Sequence, residues 1–169
     1  MWRTRDTLTD RVDRMREYEH NALDEFPARY EMSGYSGTPL WKKLGLKEDC
    51  QLFATDAPPN YVKLLASVPK GTHLASRLNT KTDIVHLFAK KKTTLARSLK
   101  TARGKIRDDA AIWVSWPKKA ARVPTDLTED VIREIALPLG LVDIKVCAVD
   151  ETWSGLKLVI RKDRRTPKP

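Results

Sequence analysis

Ala110-Ala111-Ile112-Trp113-Val114-Ser115-Trp116, then Asp126 to Leu139, then Val142-Asp143-Ile144-Lys145-Val146-Cys147-Ala148-Val149 is the stretch whose reading decides the fold. The first run is apolar and too short for a membrane or a long helix, so it reads as a strand buried on both faces. The second places Val131, Ile132, Ile135, Ala136 and Leu139 at helical spacing. The third is a second strand. Asp150-Glu151-Thr152-Trp153-Ser154-Gly155 then reads as a tight connection into a third strand, Leu156-Lys157-Leu158-Val159-Ile160-Arg161. Strand, helix, strand, turn, strand predicts an α/β sheet that finishes in an antiparallel hairpin.

Working outward, Asp83-Ile84-Val85-His86-Leu87-Phe88-Ala89 is a firm central strand and Cys50-Gln51-Leu52-Phe53-Ala54-Thr55 a first sheet strand, stopped by Asp56-Ala57-Pro58-Pro59. A helix is expected through Tyr61, Val62, Leu64, Leu65 and Val68, and a short strand within Thr72 to Leu78. Leu95, Leu99, Ala102 and Ile106 mark the inner side of a further helix whose outer side is basic. Thr38 suits a helix N-cap, Pro39 the first helical position and Gly45 the stop of that short helix. Three regions follow: a polar extension over 1–32 with a weak helix and linker, an α/β domain over 33–162, and a basic tail over 163–169 expected to be disordered.

A chain of 169 residues with 41% hydrophobic content can build a core without disulfides or metal. Cys50 and Cys147 sit singly inside strands and read as small core residues, which suits a reducing cytoplasm. No apolar stretch approaches the ~20 residues of a membrane span, and the charged start lacks the apolar segment of a secretory signal, so a cytoplasmic location is expected. The net charge of +10 is uneven, with −2 over residues 1–31 and +12 over 32–169. The basic body draws phosphate-bearing partners, either an anionic small molecule or nucleic acid.

Open parallel sheets take ligands outside the carboxyl ends of their strands. Ser36, Thr38, Asp56, Lys118, Lys119, Trp153 and Ser154 are expected to meet there and form a polar pocket favouring an anion. The alternative is that these motifs only build turns and cap helices. Lys90, Lys91, Lys92, Arg97, Lys100, Arg103 and Arg107 are candidates for unspecific nucleic-acid contact, since residues 90–107 hold eight positive charges and no acid. His86, among apolar neighbours, reads as a hydrogen-bonded core residue, with no second histidine, thiol or activated serine placed to form a triad with it. Asp126 and Glu129 read as a capping box. His20, His73 and His86 are too scattered for a metal site, and no residue is assigned a catalytic role.

Gly34-Tyr35-Ser36-Gly37-Thr38-Pro39-Leu40, Trp113-Val114-Ser115-Trp116-Pro117-Lys118-Lys119, Thr125-Asp126-Leu127-Thr128-Glu129-Asp130-Val131 and Trp153-Ser154-Gly155-Leu156-Lys157 together resemble a small bacterial family of domains of unknown function, over about residues 33–162. That resemblance implies a start near Met32 and brings no activity with it. The order of elements also resembles the closing half of a class I methyltransferase, which implies a mostly parallel Rossmann-like sheet. Such enzymes follow their first strand with closely spaced glycines, because backbone must approach the cofactor. This chain has Thr55-Asp56-Ala57-Pro58-Pro59-Asn60-Tyr61 there, where two prolines remove two N–H donors, so adenosylmethionine binding is not expected and no cofactor is assigned.

The leading expectation is a non-catalytic binding or regulatory module with an anion-favouring site at the strand ends. A diverged methyltransferase-like transferase and a nucleic-acid binder using the basic segment 90–107 are the alternatives.

Overall fold

A computed structural model describes residues 37–166. The extension, Ser36 and the last three residues of the tail lie outside the described residues. The elements run α1 (Leu40–Leu44), β1 (Gln51–Thr55), α2 (Tyr61–Leu65), β2 (His73–Leu74), β3 (Ile84–Phe88), α3 (Lys92–Arg103), β4 (Ala111–Pro117), α4 (Glu129–Ala136), β5 (Leu141–Ala148) and β6 (Trp153–Ile160).

The described strands form one sheet of six in the order β2-β1-β3-β4-β6-β5. β2, β1, β3 and β4 are parallel neighbours, while β6 inserts antiparallel between β4 and β5. The chain therefore forms the mostly parallel α/β sheet with an antiparallel end that its sequence implies. Every residue of β3 and of β4 is buried. Their near-continuous apolar character follows from helices covering both faces. On one face α3 and α4 lay Leu95, Leu99, Ala102, Ile132 and Ala136 over Val85, Leu87, Ile112 and Val114. On the other, α1 and α2 lay Leu40, Leu44, Tyr61 and Leu65 over Leu52, Ile84, Phe88 and Trp113. The Trp113 indole crosses the layer and donates to the Leu44 carbonyl at 3.1 Å, satisfying a buried N–H.

Several boundaries depart from the sequence reading for physical reasons. Pro39, rather than Thr38, takes the N-cap of α1, and no side chain caps that helix, whereas Gly45 closes it in the left-handed conformation as expected. α2 stops at Leu65, short of Val68, because Ala66 leaves helical space at φ 57°. α3 ends at Arg103, so Ile106 packs from the loop beyond it. Asp126 does not open α4. Thr128 is that helix's N-cap, accepting from the Val131 amide, and Asp126 instead caps α3 by accepting from the Lys92 amide at 2.7 Å.

The hairpin is also longer than its sequence suggests. Trp153, Ser154 and Gly155 belong to β6, paired with Pro117, Trp116 and Ser115, so the turn is confined to the residues between Ala148 and Trp153. Asp150 builds it, its Oδ1 accepting from the Thr152 and Trp153 amides at 2.8 and 2.7 Å.

Candidate functional site at the strand carboxyl ends

The strand order reverses around β1, which has β2 on one side and β3 on the other. At that switch point the connections after β1 and β3 pass to opposite faces of the sheet, and it is where ligands of open α/β sheets bind. Its first lip is Asp56, an exposed non-glycine residue at φ 54°. Asp tolerates the left-handed region better than most residues, yet the conformation still costs energy. Among the described residues the Asp56 carboxylate receives only the neighbouring Thr55 hydroxyl, at 3.3 Å, which leaves it largely open to a ligand. The second lip is the turn after β3, where Lys90 and Lys91 are exposed. Thr125 donates to the Lys90 carbonyl at 2.8 Å and Asp126 fixes the start of α3, so the turn is tied from outside.

Of the pocket expected from the sequence, Ser36 lies outside the described residues. Thr38 is half-buried just ahead of α1, and Lys119 is exposed at the start of a short 3₁₀ turn beyond β4. Lys118 and Trp153 do come together, but in another role. The Lys118 ammonium donates to the Asp150 carbonyl at 2.6 Å and its amide to the Thr152 carbonyl at 2.8 Å, so this lysine fastens the hairpin rather than facing Asp56. Trp153 is 8% exposed and meets Phe88 edge-on at 5.1 Å, packed in the core. Ser154, next along the strand, points to the opposite face. Among the described residues, no hydrogen bond or ion pair links Thr38 or Asp56 to Lys118, Lys119 or Trp153.

Between β3, β4 and α2 lies a network that sequence reasoning missed. His86 is fully buried, with Nδ1 at 2.8 Å from the Tyr61 hydroxyl and Nε2 at 2.7 Å from the Ser115 hydroxyl. A neutral imidazole has one donor and one acceptor nitrogen, so one hydroxyl donates to the ring and the other accepts from it. Burial lowers the His86 pKa to about 3 and pushes the Tyr61 phenol upward. The Ser115 partner was not foreseen, while the reading of His86 as a hydrogen-bonded core residue holds. Ser115 is wholly enclosed, so the trio locks β3, β4 and α2 together rather than acting on a substrate. Gly155 packs closely beside it: a Cβ there would meet Val149 Cγ2 at 3.1 Å and Trp113 Cε3 at 3.3 Å. The only signal was a serine two residues after Trp113, the strand partner of His86.

Lys43, also unforeseen, is buried and donates to the Ala148 carbonyl at 2.9 Å, which ties α1 to the hairpin. Burial raises the pKa of the Cys50 and Cys147 thiols, which leaves both poor nucleophiles. Among the described residues no group of histidine, cysteine and carboxylate side chains could hold a metal ion, and no helix is long and apolar enough to cross a membrane.

The nucleic-acid candidates divide. Lys90, Lys91, Lys92, Arg97 and Lys100 are exposed. Arg103 is half-buried, and its Nε has no hydrogen-bond partner among the described residues. Arg107 lies beyond α3, where it pairs with Asp83 at 2.6 Å and Asp109 at 3.0 Å, so its charge is already matched.

No family model matches this sequence, and no curated protein matches it. Solved structures do. A possible exported protein from Bordetella parapertussis matches with a TM-score of 0.54 at 10% identity, covering 86% of this chain and 79% of that one. The tRNA methyltransferase TrmK of B. subtilis gives 0.51 at 10% identity, covering 75% and 68%. An S-adenosylmethionine-dependent methyltransferase from Clostridium acetobutylicum gives 0.50 at 8% identity, covering 71% and 86%. The chain therefore has a methyltransferase-like Rossmann fold, a likeness of architecture at identities this low.

Proposed function

We propose that this chain is a diverged methyltransferase-like transferase whose nucleotide-like ligand lies in the crevice between the carboxyl ends of β1 and β3. The observation that carries the reading is Asp56: an exposed, left-handed residue with a nearly unengaged carboxylate at the switch point of the sheet. Strain kept in such a place is a mark of a working loop. The structural neighbours favour this reading over the non-catalytic module expected from the sequence, since two of them are methyltransferases.

Adenosylmethionine does not fit the residues present. The segment from Thr55 to Tyr61 has no glycine, and Pro58 and Pro59 withhold two of the N–H groups that would line the approach. Phe88, at the end of β3, is an apolar side chain buried against Trp153. The ligand is instead held by Asp56, which accepts from hydroxyl groups, and by Lys90 and Lys91, which face an anion.

Native mass spectrometry of the purified chain, with calorimetry against adenosylmethionine, tests this. A nucleotide-like molecule is retained, adenosylmethionine shows no micromolar affinity, and Asp56→Gly loses the retained molecule although it relieves the backbone strain. Full retention by Asp56→Gly would sink the assignment of the crevice. If no such molecule is carried or bound, the binding-module reading replaces it.

A further inference from the structure

β2 contributes only two residues before the chain leaves the sheet, and no described helix follows it on the side of α3. The outer part of β1 is consequently covered on that side by α3 alone. A groove of about 440 Å³ remains between α3 and the β1–β2 edge. Phe53, Leu78 and Leu87 form its apolar floor. Arg77 stands on one wall, and Arg97 and Lys105 on the other. No carboxylate lines it, and none of these three cations makes an ion pair among the described residues.

We propose that this groove binds single-stranded nucleic acid, a role that does not rest on the transferase reading: the groove adjoins that site at Thr55, but Asp56, Lys90 and Lys91 do not line it. Arg97 and Thr101 lie one turn apart on α3 and Lys105 follows from the turn beyond its end, so cations and a hydroxyl line one wall for a phosphate backbone to track. Phe53 is half-buried at the floor, with a ring available to an unstacked base. A duplex hides that surface within its stack, and an acidic peptide has no use for the aromatic floor. The Thr101 hydroxyl can both donate and accept, which suits base edges and sugar oxygens.

Fluorescence anisotropy of the full chain with a labelled oligouridylate of about 12 nucleotides tests the proposal. Arg77→Ala combined with Arg97→Ala weakens binding at least tenfold and lowers the slope of log affinity against log salt by about 1.4. Lys70→Ala combined with Lys100→Ala, which removes the same charge from exposed positions outside the groove, weakens it less than about threefold. Phe53→Leu keeps the floor apolar yet costs about fivefold or more through lost stacking. All four charges are exposed, so the unfolding midpoints of both pairs stay near that of the parent chain. The proposal is overturned if both pairs lose affinity equally, which would mean a general charge field. Displacement by polyglutamate as effective as by unlabelled oligouridylate would overturn it too, as would the absence of binding.

Discussion

At the scale of single residues, the most consequential side chain is one that never meets solvent. His86 is kept neutral by burial, with its folded pKa near 3 against an ordinary 6.5. Between those values the folded chain binds fewer protons than the unfolded chain. The resulting stability is fully present above about pH 6.5 and is lost as pH falls toward 3, at up to about 1.4 kcal/mol per pH unit. Urea unfolding from pH 7 down to pH 4.5 should show that decline, and the His86 imidazole resonances should not titrate across the range. A His86 resonance titrating near pH 6.5 would contradict the enclosed geometry. Lys118 teaches a related lesson. A lysine after a strand can face a ligand or a carbonyl, and only the position of Asp150 decides between them.

At the scale of elements, α3 owes its start to a residue outside itself. Lys91 is its N-cap and no side chain of that position caps it, so Asp126, brought in from the approach to α4, supplies the acceptor. Asp126→Ala should cost about 1 kcal/mol in urea-unfolding free energy and fray the first turn of α3, visible as faster amide exchange at Lys92 and Thr93. Unchanged exchange there would mean that the cap is dispensable. The periodicity of Leu95, Leu99 and Ala102 was enough to place this helix from sequence, and the apolar runs of β3 and β4 were enough to place the strands. The cap was not legible, because its two partners are 34 residues apart and nothing local links them. The hairpin boundary was misjudged for a similar reason. Ser154 and Gly155 look like turn residues, but cross-strand pairing with Trp116 and Ser115 draws them into β6.

At the scale of the whole molecule, the α/β sheet and its antiparallel end could be read from hydrophobic runs, since those record burial directly. The candidate site was less legible, because it depends on where side chains point. Alternation along β6 sends Trp153 and Ser154 to opposite faces, and the groove of Phe53, Arg77 and Arg97 unites three segments that share no motif. The position of β6 has a further consequence during synthesis. β4 cannot be flanked on both edges until residues 153–160 have left the ribosome, because the strand that completes it is the last of the described strands to be made. Until then its seven buried residues, two tryptophans among them, present an open β edge beside an unfinished core. Nascent chains stalled before Trp153 should bind chaperones and aggregate when released, while chains extended past Ile160 should become protease-resistant in one step, a sequence of events that pulse-labelling of arrested translation complexes would record.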